Sequence, residues 1–227
     1  MSLSATGASA ASTTIQTHGW WLAGRASGLV ALILITISVG LGLTMAGKVM
    51  RRPGLSRKLL AIHEHTALAG LVAIAVHGIT LLGDPWLNPG VAGIAVPFSI
   101  GFRPLAVALG IVGGYLAALL GLSFYLRKRI GPRLWRKAHR ATVVVYLLGL
   151  AHALSSGTDA SAVWFRWWVL MTAPVIGGLF VYRVFAGGAK RAGADRVHDG
   201  ARSHRPGLAA GHPRGATIPR TAIPEEA

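Results

Sequence analysis

The sequence predicts an all-α integral membrane protein, a bundle of five transmembrane helices, on three observations. Of its 227 residues, 52% are hydrophobic and 13% charged, with a mean hydropathy of +0.53. Only seven residues are acidic, and three of those (Glu64, Asp84 and Asp159) lie between residues 20 and 185. A soluble domain covers its surface with charges of both signs, and this chain lacks the acids to do so. Finally, the apolar residues fall in five runs, each near the roughly 20 residues that carry a helix across a bilayer core of about 30 Å.

Residues 1–19 are rich in Ala, Ser and Thr and hold no Lys or Arg. They lack the positive start of a signal peptide and read as a short flexible head. The spans follow at about 21–46, 61–82, 104–126, 138–155 and 163–186, within a membrane domain of residues 20–186. Only helices meet the requirement that backbone groups in lipid pair within their own segment. The connection at 47–60 carries Lys48, Arg51, Arg52, Arg57 and Lys58, and that at 127–137 carries Arg127, Lys128, Arg129, Arg133, Arg136 and Lys137. Connection 83–103 has Arg103 alone, and 156–162 has neither Lys nor Arg. The positive-inside rule then sets the N-terminus outside and the C-terminus in the cytoplasm, in the cytoplasmic membrane. Trp20, Trp21, Trp86, Trp164, Trp167 and Trp168 fall near the outer ends, as an interfacial belt should. Connection 83–103 is rich in Pro and Gly and reads as an ordered cap rather than a sixth span. Residues 187–227 are Gly, Ala, Arg and Pro without apolar periodicity and read as a disordered basic cytoplasmic tail. The net charge of +16 thus belongs to the cytoplasmic membrane face and its anionic lipid, not to nucleic acid. With no cysteine, disulfides, thiolate zinc sites, iron–sulfur clusters and cysteine-linked haem are excluded.

Four histidines stand at matched depths in two spans that run the same way. His63 and His139 lie near the cytoplasmic ends, His77 and His152 near the outer ends. At 1.5 Å per residue the two histidines of one helix are about 20 Å apart. Ionisable groups inside a membrane are costly and tend to be functional. A neutral imidazole ligates metal through one ring nitrogen, and two imidazoles opposed across a planar macrocycle would hold haem iron axially. Two levels of paired histidines would hold two haems. On a helical wheel His63 and His77 share a face, about 40° short of whole turns, whereas His139 and His152 fall about 140° short. That offset implies a distortion of the fourth span near Gly149, or rings that approach from different sides, and it leaves a single-haem protein open. His65, the other candidate at the entry to the second span, leaves the face of His77 by about 120° and ranks below His63.

With these spacings, residues 20–186 resemble the ferric reductase-like transmembrane family of ferric reductases, NADPH oxidases and the haem-binding subunit of methionine sulfoxide reductase. The resemblance rests on His63 and His77, on His139 and His152, on the basic run RKRIGPRLWRKAHR before the fourth span and on GTDA at 157–160. It implies a four-helix core with two b-type haems, one held by His63 and His139 and the other by His77 and His152. It implies an oxidoreductase component that passes electrons to an external acceptor: ferric iron, oxygen or a periplasmic partner protein. Members with their own reductase activity continue into a flavin and NAD(P)H domain, which the stretch at 187–227 is too short to form. Electrons are therefore expected from a separate flavoprotein or membrane quinol. The family has six spans where five are counted here.

Haem propionates are anionic and call for cations. Arg103 and Arg25 lie towards the outer face, Arg140 and Lys137 towards the inner; Arg103 and Arg140 are the first candidates. Membrane anchoring explains Arg140 equally well, and an Arg inside the first span needs a partner of its own. Gly24, Gly28, Gly110, Gly113 and Gly114 read as points of close helix or macrocycle approach, and Pro174 as a kink in the fifth span. Two other function classes compete: a metal or proton transporter, and a cofactor-free structural subunit of a membrane complex. Transport pathways commonly use intramembrane carboxylates, and Glu64 near one end is the sole candidate.

Overall fold

The computed structural model describes the backbone of residues 3–47 and 54–203, and side chains at 18–47 and 54–185. Its elements are α1 (Leu3–Gly47), α2 (Leu55–Leu81), α3 (Gly90–Ala95), α4 (Pro104–Ile130), α5 (Pro132–His139), α6 (Thr142–Ser156) and α7 (Val163–Ser203). No strand occurs among the described residues. The chain divides into two units, Met1–Phe185 and Ala186–Ala227, and every helix that bears a candidate ligand belongs to the first.

Four helical stretches are long and apolar enough to cross a membrane: His18–Gly47, Leu55–Leu81, Pro104–Ile130 and Val163–Phe185. They match four of the five expected spans, and they mark a multi-pass membrane protein. Their outer surfaces are apolar. Val72 and Ile79 on α2, Leu105 and Leu119 on α4, and Met171 and Val175 on α7 all lie exposed, a surface suited to lipid and not to water.

The expected span at 138–155 is the exception. α6 has 15 residues, about 22 Å of helix, which is shorter than a bilayer core. It is separated from α5 by a tight turn at Arg140 and Ala141. There Ala141 N–H bonds to the Ala138 carbonyl and Val144 N–H to that of Ala141, each at 2.9 Å. These are three-residue steps, which advance the chain about 120° per residue in place of 100°. The extra rotation has the sense that closes the shortfall between His139 and His152. The distortion therefore lies at 140–141, and Gly149 is ordinary α6 helix.

Two core clusters join the helices. Val39, Leu43, Tyr146 and Ile176 knit α1, α6 and α7. Ala117, Leu120 and Val145 knit α4 to α6, and Ile35, Leu71 and Ile74 extend that cluster to α1 and α2. Because lipid is as apolar as leucine, close approach must come from small residues. Gly113 against Leu148 and Gly70 against Ile35 supply it.

The connection between α2 and α4 is an ordered cap, as its Pro and Gly content implies. Asp84 is buried, and its Oδ1 accepts from the backbone N–H groups of Trp86 at 2.9 Å and Leu87 at 3.2 Å. Tyr115 ties the cap to α4 by donating to the Ala95 carbonyl at 2.6 Å.

At both ends helix extends beyond the expected spans. The stretch expected as a flexible head is helix from Leu3; alanine is the strongest helix former, and no proline interrupts it. Likewise α7 carries Pro174 in its interior and runs to Ser203 through an alanine-rich stretch, where no proline recurs before Pro206. The rest of the expected tail, and Lys48, Arg51 and Arg52 of the first basic connection, lie outside the described residues.

Candidate functional site

The four histidines meet in two pairs. The ring centres of His63 and His139 are 6.1 Å apart with planes at 89°. Those of His77 and His152 are 6.3 Å apart with planes at 71°. The pairing joins α2 to α5 at one level and α2 to α6 at the other. His65 lies exposed on α2, with Nδ1 turned back to the Ala61 carbonyl at 2.7 Å.

Three of the four imidazoles are fixed by their Nδ1 atoms. His77 donates to the Gly24 carbonyl at 2.7 Å, His152 to that of Ala106 at 2.8 Å, and His63 to that of Ser38 at 2.8 Å. The Ser38 hydroxyl stands 3.1 Å from the same His63 nitrogen. A carbonyl acceptor requires the proton on Nδ1, so the lone pair of each neutral ring is on Nε2. Metal-ligating histidines share this arrangement, their second nitrogen donating to a backbone carbonyl, as does the exposed His65.

His139 is held differently. Its ring stacks on Trp135, with centres 4.9 Å apart and planes at 24°. Trp135 is anchored in turn by donating Nε1–H to Ser123 Oγ at 3.1 Å. The Leu120 carbonyl acts on His139 from α4, but the buried Nδ1 closes no hydrogen bond of acceptable geometry. It is an orphaned polar atom beside a paired ring.

The separations suit two ligands on one ion. A coordinated imidazole nitrogen sits about 2 Å from its metal, with the ring centre roughly 1.1 Å behind, so ligands on opposite sides have centres about 6 Å apart. Among the described residues no three His, Cys, Asp or Glu side chains converge as a metal-ion site. Each pair therefore brings together two imidazole donors and no further His, Cys, Asp or Glu among the described residues.

Three of the candidate cations, Arg25, Arg103 and Arg140, differ in their surroundings. Arg25 donates from Nε to Asp159 Oδ2 at 2.7 Å, and its Nη2 meets Asp159 Oδ1; its guanidinium also stands over Trp21, 5.2 Å from the ring centre. Its charge is already matched by Asp159 of the GTDA stretch, a pairing that the sequence did not reveal. Arg103 donates to the Ser155 carbonyl and rims an open groove of about 320 Å³ lined by Leu105, Ala106, Leu109 and Ser155. That groove adjoins the His77–His152 level through Ala106. Arg140 lies exposed in the turn next to His139.

Sequence reasoning also missed Ser38 and Trp135 as partners of the rings. A signal was present for the first: Gly24 and Ser38 are separated along α1 by the same interval as His63 and His77 on the helix alongside. Comparison of the chain with family models, with curated proteins and with solved structures finds no match.

Proposed function

We propose that the chain is a transmembrane electron-transfer protein that binds b-type haem at each histidine pair, His63 with His139 and His77 with His152. The observation that carries this reading is the pair geometry: ring centres 6.1 and 6.3 Å apart, with Nδ1 capped by a carbonyl on three of the four rings. When bound, haem supplies one-electron redox chemistry at its iron, with a potential set by ligands, hydrogen bonds and burial.

The residues contribute ligation, spacing and dryness. Nδ1–H bonds hold the tautomer that presents Nε2 and raise its basicity. Levels about 20 Å apart divide the membrane crossing into short steps. Ile35, Leu71, Ile74 and Val145 keep water from the core between the levels. Arg103 and Arg140 supply cations at the two ends for propionates; Arg25 instead braces the loop at 157–162. In the proposed orientation α5 completes the crossing that α6 begins, the basic ends face the cytoplasm, and electrons leave at the His77–His152 level.

The test is haem content and reduced-minus-oxidised spectra of the purified protein beside His77→Ala and His139→Ala. A bis-histidine b-type spectrum that loses a different component in each variant is the expected result. A colourless protein after expression with ample haem removes the reading.

A further inference from the structure

Three histidine seats share one construction. The ring of His77 bonds to the Gly24 carbonyl and rests on Gly28, that of His63 bonds to Ser38 and rests on Gly42, and that of His152 bonds to Ala106 and rests on Gly110. In each case the glycine stands one helical turn after the carbonyl, at position i+4. In an α-helix that carbonyl already accepts from the N–H of residue i+4, so a second donor must pass over residue i+4 to reach it. A Cβ there would stand in the way. On Gly110 it would come within 2.7 Å of His152 Nδ1 and 2.8 Å of Cε1; on Gly28, 3.0 Å from His77 Nδ1; on Gly42, 3.3 Å from His63 Cε1.

The seats recur along both supporting helices, at the interval that separates His63 from His77. On α1, Gly24 with Gly28 is followed at that interval by Ser38 with Gly42; on α4, Ala106 with Gly110 is followed at the same interval by Leu120 with Phe124. At this fourth position a phenylalanine replaces the glycine, and there the facing ring, His139, meets the Leu120 carbonyl without closing a regular Nδ1 hydrogen bond. Seat and bond go together. Other helical glycines, such as Gly70 and Gly121, face only aliphatic side chains.

We propose that Gly28, Gly42 and Gly110 are positioning residues: each keeps a carbonyl open so that its histidine is fixed by Nδ1 and turned to face its partner. The proposal rests on the haem reading above. It differs from helix packing in what an added Cβ would meet: a histidine ring at these three glycines, aliphatic side chains at Gly70 and Gly121.

The experiment compares Gly28→Ala, Gly42→Ala and Gly110→Ala with Gly78→Ala, where an added Cβ meets nothing within 4 Å. Haem stoichiometry, a redox titration that resolves the two levels and the ferric low-spin EPR signal are read on each purified protein. The expected result is level-specific. Gly110→Ala and Gly28→Ala weaken or shift the His77–His152 level alone, Gly42→Ala the His63–His139 level alone, in the order Gly110, Gly28, Gly42. Haem affinity at the affected level falls about 10–100-fold, the usual cost when a metal-bound ring loses the group that orients it. Gly78→Ala matches the wild type. Unchanged midpoints and spectra in Gly110→Ala and Gly28→Ala overturn the proposal while wild-type haem keeps the function. Equal effects on both levels in all three variants assign the glycines to packing and also overturn it. If Gly110→Ala does not fold, Gly28→Ala and Gly42→Ala decide: opposite levels support the proposal, and the same level defeats it. A haem-free wild type removes the function and the proposal with it.

Discussion

Arg25 is the one charged residue of the apolar helix α1. Such a side chain needs a partner or a route to the interface, and here it has both. Asp159 grips it from the connection between α6 and α7, and Trp21 lies beneath its guanidinium. The pair is lopsided, with the Arg25 side chain 37% exposed and Asp159 only 7%. Its worth therefore falls between the few tenths of a kcal/mol of an exposed pair and the several of a buried one; about 1 kcal/mol is a fair discount for solvent screening. Arg25→Ala should lower the thermal midpoint more than Asp159→Ala, since it strands the buried Asp159 carboxylate without its cation, whereas Arg25 keeps its route to the interface. The double variant should lose less than the two single losses together, as coupled neighbours do. Strict additivity in thermal melts would show that the two charges stand independently. Nothing in the sequence pairs these residues: Asp159 sits in a short loop, where no periodicity tells which helix it turns back to. The paired histidines were legible because depth and direction follow from span order alone.

At the scale of the element, four spans were legible as apolar length, and the span at 138–155 was not. The stretch KAHRAT, from Lys137 to Thr142, contains neither Gly nor Pro, so nothing in it punctuates the helix. What breaks it is tertiary. Trp135 binds Ser123 and lies edge-on to Phe124, with ring centres 5.9 Å apart, so α5 is pinned along the end of α4. Meanwhile α6 is set by Val145 and Tyr146 in the core, and the chain must turn between the two. Packing thereby overrides local propensity, and it carries His139 to His63 without a shared helical face. Trp135→Ala should therefore unseat one level alone. The stack on His139 is worth about 0.5–1.5 kcal/mol beyond area burial, and the His139 ring has no Nδ1 bond to hold it in compensation. Faster haem loss from the His63–His139 level, with the His77–His152 spectrum unchanged, is the expected outcome of a haem-transfer assay. Equal loss from both levels would mean that α5 supports the bundle as a whole.

For the whole molecule, most of the basic residues and most of the tryptophans fall at opposite ends. Arg57, Lys58, Arg127, Lys128, Arg129, Arg133, Arg136 and Lys137 gather where α2 begins, where α4 ends and along α5. Trp20, Trp21, Trp86, Trp164 and Trp167 lie exposed at the other end. Basic connections are retained on the cytoplasmic side, and tryptophan settles at membrane interfaces. The proposed direction of electron flow depends on this assignment, because it makes His63–His139 the level reached from the cytoplasm. The chain has no cysteine, so a single introduced thiol reports one position without background. Val91, in the cap, is 71% exposed, and Arg133 is exposed on α5. In intact cells, Val91→Cys should react with a membrane-impermeant thiol reagent, while Arg133→Cys should react only after the membrane is opened. Many like charges remain around Arg133, so its loss should not reverse the insertion. The opposite labelling pattern would invert the molecule, place the His77–His152 level on the cytoplasmic side, and require electrons to arrive from outside.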